Sequence, residues 1–185
     1  MSTVQLDYTR IERDLLGAKE VPAACYYGIH TLRALENFQI SNQKVGTHPH
    51  FIRALAQVIK ASEQTNLKFS KISEQVSQAI QFACNELIEF PEQWSTAFPL
   101  DVYQGGAGTS INMNSNEVLA NIALEHLGFQ KGQYEHIHPN DHVNKSQSTN
   151  DVYPTALRLA TYYSLDDLLI QIQKLIDTLH IKVAE

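Results

Sequence analysis

Cysteine is scarce: Cys25 and Cys84 are the only two in 185 residues, far apart and in no metal or redox spacing. That excludes a disulfide framework and fits a reducing, cytoplasmic setting. Long apolar runs are missing as well. No stretch approaches membrane-spanning length, and the first residues lack the charged-then-apolar pattern of a secretory signal, so no membrane partner is expected. Positive charge is in deficit, with 14 Lys and Arg against 20 Asp and Glu for a net charge of −6. Without a basic cluster, nucleic acid is an unsuitable partner. Repeats and low-complexity linkers are absent too. What remains is an ordinary globular composition, 43% hydrophobic, at a length suited to one domain or one domain and part of another.

One stretch, Asp101 to Asn121, organises the rest. Three glycines, Gly105, Gly106 and Gly108, precede the hydroxyls of Thr109 and Ser110 and an amide-rich run that turns helical. Glycines at this density let a backbone approach a ligand closely, and hydroxyls at a helix mouth cap it or bind an anion with the free N–H groups there. No charged residue lies between Gln104 and Asn116. A phosphate-binding P-loop needs Lys where Thr109 stands, and a dinucleotide fingerprint needs a small residue where Ile111 stands. At this point a glycine-rich turn that merely caps a helix explains the stretch as well as an anion cradle does.

The remaining text is mostly helical. After a polar start over residues 1–8, a hairpin is expected around Gly17, and Thr31 is placed to cap a short helix ending near Phe38. Apolar spacing predicts a helix over 49–69, and a second one capped by Ser70 or Ser73 and closed by Pro91. Trp94 and Phe98 are expected to plug the core. The helix opened after Thr109 stops at Gly128. A polar loop then carries His136, His138 and His142 beside Asp141; their spacing matches no ligand pattern, so no metal is assigned. A second cluster of hydroxyls and amides, Ser146 to Thr155, opens a long helix. Leu165, Leu168, Ile172, Leu175 and Leu179 step along it by three and four, widened by Leu169, Ile176 and Val183, a seam that needs partner helices. The seam is still running at Glu185, so the chain reads as the front part of something longer.

Three segments carry a resemblance: Arg10-Ile-Glu-Arg-Asp-Leu-Leu-Gly-Ala-Lys-Glu-Val-Pro22, Tyr26-Tyr-Gly-Ile-His-Thr-Leu-Arg-Ala-Leu-Glu-Asn-Phe38, and His138-Pro139-Asn140-Asp141 through Asn150-Asp151. With both donor clusters in order, nearly the whole chain resembles the fumarase/aspartase superfamily of lyases. Class II fumarases typically read Gly-Ser-Gly-Thr-Gln-Ser-Asn-Met-Asn where this chain has Gly106 to Asn114, and Ser where it has Thr149. Both differences point to the aspartase branch.

The resemblance implies a mainly α fold: an N-terminal helical domain with a short β-hairpin (residues 1–145), then the first long helix of a central bundle (146–185) that assembles into a homotetramer. It implies reversible elimination of ammonia from L-aspartate to give fumarate, without a required cofactor; activation by a divalent cation is not legible. Thr109, Ser148 and Thr149 match positions that hydrogen-bond the side-chain carboxylate, and Asn150 a position that contacts the amino group. His138, Asn140 and Asp141 match a second, non-catalytic anion site. The family's catalytic base, a Ser in a Gly-Ser-Ser-x-Met-Pro-x-Lys-x-Asn loop, is absent from these residues, so no catalytic base is assigned and the chain alone is expected to be inactive. A class II fumarase and a non-catalytic dicarboxylate-binding or assembly fragment are the alternative readings.

Overall fold

The computed structural model describes residues 8–184; the polar start read over residues 1–8 lies, apart from Tyr8, outside them. A hairpin comes first. Strand β1 (Thr9–Asp14) pairs antiparallel with β2 (Gly17–Pro22), with Thr9 opposite Pro22 and Asp14 opposite Gly17. An isolated hairpin is marginal in water, so it must be held from outside. Arg33 grips Asp14 through Nε at 2.7 Å and Nη2 at 2.8 Å. Arg10 donates to the carbonyls of Pro22, Cys25 and Tyr27 at 3.1, 2.8 and 2.6 Å, gathering the following loop around one guanidinium.

Helix α1 (Ile29–Asn37) differs from expectation at its start. Gly28, not Thr31, precedes it, and Thr31 lies inside, its hydroxyl donating to Glu117 Oε2 at 2.7 Å. A carboxylate from elsewhere in the fold does the capping that a local hydroxyl was expected to do. Helix α2 (Pro49–Lys68) starts on proline, whose missing N–H costs nothing there. Helix α3 (Glu74–Glu89) is capped by Ser73, whose Oγ accepts from Val76 N, and the chain then turns at Phe90 before Pro91.

Helix α4 (Thr109–His126) is the axis of the molecule. From Ile111 to Leu124 only Met113 escapes full burial. A helix buried on all sides belongs in the middle, with neighbours around it. Its Leu119 and Leu124 share one buried cluster with Ile52 and Leu55 of α2, Ile80 and Leu87 of α3, and Phe98. Phe98 is the core plug expected of it, whereas Trp94 is a half-buried cover, edge-on to Tyr26 at 4.9 Å. The polar loop contains one wide helical turn, Pro139–Val143.

Helix α5 (Thr149–Ala184) has two regimes. Val152, Ala156 and Ala160 are buried in the common core, and Tyr163 Oη donates to Gln57 of α2 at 2.8 Å. Farther on the expected seam stands in solvent, with Leu165, Leu168, Leu175 and Leu179 each at least half exposed. Among the described residues no helix is long and apolar enough to cross a membrane.

Candidate functional site

Two donor clusters, distant in sequence, meet at the N-terminal ends of α4 and α5. Gly108 holds φ +88, a left-handed conformation that favours glycine, and it takes the cap position of α4. Thr109 is therefore the first helical residue and not the cap. A Cβ at Gly108 would lie 2.1 Å from Tyr153 Cδ2, so the loop rests directly against the second turn of α5. One helical turn into α4, Asn112 Nδ2 donates to Asn144 Oδ1 at 3.1 Å, tying α4 to the turn that leads into Ser148.

The donors themselves are only partly engaged. Ile111 N–H is taken by Gln104 Oε1 at 3.1 Å, which closes the glycine loop on itself. The N–H groups of Thr109 and Ser110 are among those a helix leaves unpaired at its start, and they sit at the positive end of the dipole. Within the described residues the Thr109, Ser110 and Thr149 hydroxyls make no hydrogen bond. Ser148 does cap α5: its Oγ accepts from Asn150 N at 3.2 Å. That use engages a lone pair and leaves the hydroxyl proton to be donated outward. Thr109, Ser148 and Asn150 are exposed and Thr149 half-buried. The arrangement can bind an anion through neutral dipoles, without adding a group that titrates.

His138, Asn140 and Asp141 come together in the wide turn. His138 Nδ1 accepts from Asn140 N at 3.1 Å and Asp141 N at 3.2 Å, so its ring proton sits on Nε2. Its own N–H donates to His142 Nδ1 at 2.8 Å. The backbone donors of this turn are thus already engaged, and no group of metal-ligating side chains occurs among the described residues. A cavity of about 440 Å³ between α2 and α5 is lined by Phe51, Tyr153, Leu157 and other mainly apolar residues, and none of the four candidate donors lines it.

Sequence reasoning missed a buried polar network at the start of α1. Glu117, fully buried, accepts from the N–H groups of Gly28, His30 and Thr31 at 2.8, 2.8 and 3.1 Å. His30 Nδ1 lies 3.1 Å from Glu117 Oε1, and that bond holds the imidazole above its ordinary value. Glu12 accepts from Ile29 N at 2.8 Å and from Tyr134 Oη at 3.1 Å. Burial pushes the Glu12 carboxyl up despite the opposing pull of Arg10. The signal was present: Glu117 is the lone charge in an otherwise neutral, buried run.

A model of a family of lyases matches residues 17–185. The chain belongs to this lyase family. Among its curated relatives, aspartate ammonia-lyase of Escherichia coli (strain K12) is 53% identical over 176 residues, covering 95% of this chain and 37% of the relative. The aspartate ammonia-lyase of Corynebacterium glutamicum is 50% identical over 174 residues, covering 94% and 33%. A solved fumarate lyase:delta crystallin from Brucella melitensis, bound to cobalt, superposes with TM-score 0.88 at 50% identity, covering 91% of this chain and 36% of that one. A class II fumarase from Schistosoma mansoni gives TM-score 0.72 at 37% identity, over 83% and 32%. The chain thus spans about a third of the length of the lyases it matches, and the lyase fold carries both donor clusters at its helix ends.

Proposed function

We propose that this chain supplies the carboxylate-binding side of an aspartate ammonia-lyase, which eliminates ammonia from L-aspartate to give fumarate. The observation that carries the reading is the pair of helix ends, α4 and α5, tied together with the Thr109, Ser110 and Thr149 hydroxyls unengaged among the described residues. The hard step is loss of a proton from the carbon beside the side-chain carboxylate, which drives a second negative charge onto that carboxylate. Donors already in place for that charge lower the barrier without reorganising. Thr109, Ser148 and Thr149 would donate to it. Asn150, through its side-chain carbonyl, would accept from the ammonium.

None of these groups is a base suited to a carbon acid, and the donors lie open to water, where dipoles stabilise charge weakly. The chain alone is therefore proposed to bind without turnover. The base and the cover would come from other segments, in a homotetramer assembled through the exposed seam of α5. His138 Nε2 and the Asn140 side chain are offered as a second anion site beside Asp141. Its backbone donors take no part, because His138 holds them.

The test is fumarate absorbance with L-aspartate, on this chain and on a form extended through the Ser loop that the resemblance implies. Turnover only in the extended form is expected. Fumarate from the 185-residue chain would refute the half-site, and silence of a folded, tetrameric extended form towards both L-aspartate and L-malate would refute lyase activity in favour of a binding or assembly module. A class II fumarase is the second reading, favoured by the Schistosoma likeness. L-malate in place of L-aspartate separates the two.

A further inference from the structure

We infer that Asn112 and Asn144 form a positioning clamp that sets the spacing between the two donor clusters; the inference rests on the lyase reading above. Asn112 is 1% exposed, on the most buried helix of the fold. Its Nδ2 reaches Asn144 Oδ1 at 3.1 Å, but its Oδ1 is buried with no partner among the described residues. An orphaned buried carbonyl is costly, and a leucine would fill the same space without it. The donor is the half of this amide that makes a hydrogen bond.

What it holds is the entry to α5. Asn144 closes the wide turn by donating its N–H to Pro139 O at 2.9 Å, and its carbonyl accepts from Gln147 N at 3.1 Å. The neighbouring Lys145 carbonyl accepts from Asn66 Nδ2 of α2 at 2.8 Å. Residues 144–147 are therefore fixed from α2 on one side and from α4 on the other, immediately before Ser148. Asn112 lies one helical turn beyond Thr109. A single hydrogen bond between side-chain amides thus couples Thr109 to Ser148, Thr149 and Asn150, while Gly108 against Tyr153 sets their contact sterically. Neither asparagine touches substrate in this scheme. The clamp matters because a misplacement of about 1 Å can cost a reaction about a hundredfold.

The test is a double-mutant cycle in the extended form that turns over L-aspartate, using Asn112→Leu, Asn144→Leu and both together. Each single substitution should lower kcat about 10- to 100-fold and leave KM within about threefold, and the double should stay within about threefold of the worse single. Singles within about threefold of the parent, or losses that multiply in the double, would overturn the clamp. A role in folding alone would also lower apparent kcat at unchanged KM, through the active fraction. The kcat is therefore expressed per folded tetramer, counted by gel filtration and circular dichroism, and a loss that vanishes on that count would overturn the clamp. If Asn112→Leu does not fold, Asn144→Leu, in a half-buried turn, carries the same kinetic comparison. The bond is also read without turnover, in the 185-residue chain, from exchange of the Asn112 side-chain amide protons by NMR. Slowed exchange that Asn144→Leu abolishes supports the clamp, and fast exchange in the parent refutes it. An extended parent inert towards L-aspartate sinks the aspartase reading instead, leaving amide exchange to judge the clamp.

Discussion

The Glu117 network at the start of α1 and the donor clusters at the starts of α4 and α5 solve one problem in opposite ways. Each is a helix N-terminus with N–H groups to satisfy. At α1 the fold brings in a buried carboxylate, Glu117, and every nearby donor is engaged: Gly28, His30 and Thr31 by backbone, Thr31 by hydroxyl. At α4 and α5 no side chain from another element fills the role among the described residues, and the Thr109, Ser110 and Thr149 hydroxyls make no hydrogen bond there. A closed polar network stabilises a fold, and unengaged donors at a rigid place leave room for a ligand. The difference separates structure from site better than residue type does, since Thr31 and Thr109 are both threonines at helix mouths.

Substitutions can break that comparison from either side. The largest effect on stability is expected for Glu117→Leu, which strands the donors of α1 in the interior. Denaturant unfolding should show a loss of about 3–5 kcal/mol. A loss below about 1 kcal/mol would mean that the network is not closed. Gly108→Ala comes next, since it must take a left-handed conformation and meet the Tyr153 ring at once. About 1–3 kcal/mol should be lost, read in the same experiment. Ser148→Ala removes one cap and should cost about 1 kcal/mol.

His30 gives a pH test. Its value is raised from the ordinary 6.5 by the bond to Glu117, so its contribution is fully present below about pH 6.5 and is lost as pH climbs through the raised value. His30→Gln should flatten the fall in stability on that alkaline limb. Glu12 is raised too and begins its loss from a lower pH, which is why parent and variant must be compared across the whole range. An unchanged slope would remove His30 from the network. The smallest stability effect belongs to Thr109→Val, within about 0.5 kcal/mol, because its hydroxyl holds nothing in the fold. In the extended, active form the same change should lower kcat about 10²- to 10³-fold. Stability and activity should therefore rank Glu117 and Thr109 in opposite order.

Much of this was legible in the text. Periodicity located α2, α3 and the long α5, Pro91 marked the end of α3 and Ser73, one of two caps offered with Ser70, its start, and the turn at Gly17 fell where the hairpin turns. The donors Thr109, Ser148, Thr149 and Asn150 were named from motifs, and the helix ends that carry them are tied together in the fold. Thr31 was given a cap it does not make, Thr109 a cap that Gly108 takes, and Glu117, Gln104 and Asn112 were given nothing. For Thr31, Glu117 and Asn112 the deciding partner lies far off in sequence: Glu117 is 86 positions from Thr31, and Asn144 is 32 from Asn112. For Thr109 and Gln104 the deciding geometry is local, the left-handed Gly108 and the Gln104–Ile111 bond seven residues apart.

The sequence by itself determined the elements, their order and the chemical character of the candidate site. Helix periodicity, caps and turns are local, and so is the neutrality of the donor runs. Only the tertiary structure decided which donors are already engaged. A hydroxyl at a helix mouth is the same residue whether or not a carboxylate from another helix reaches it, and packing α4 through the centre brought Glu117 to α1 and none to Thr109.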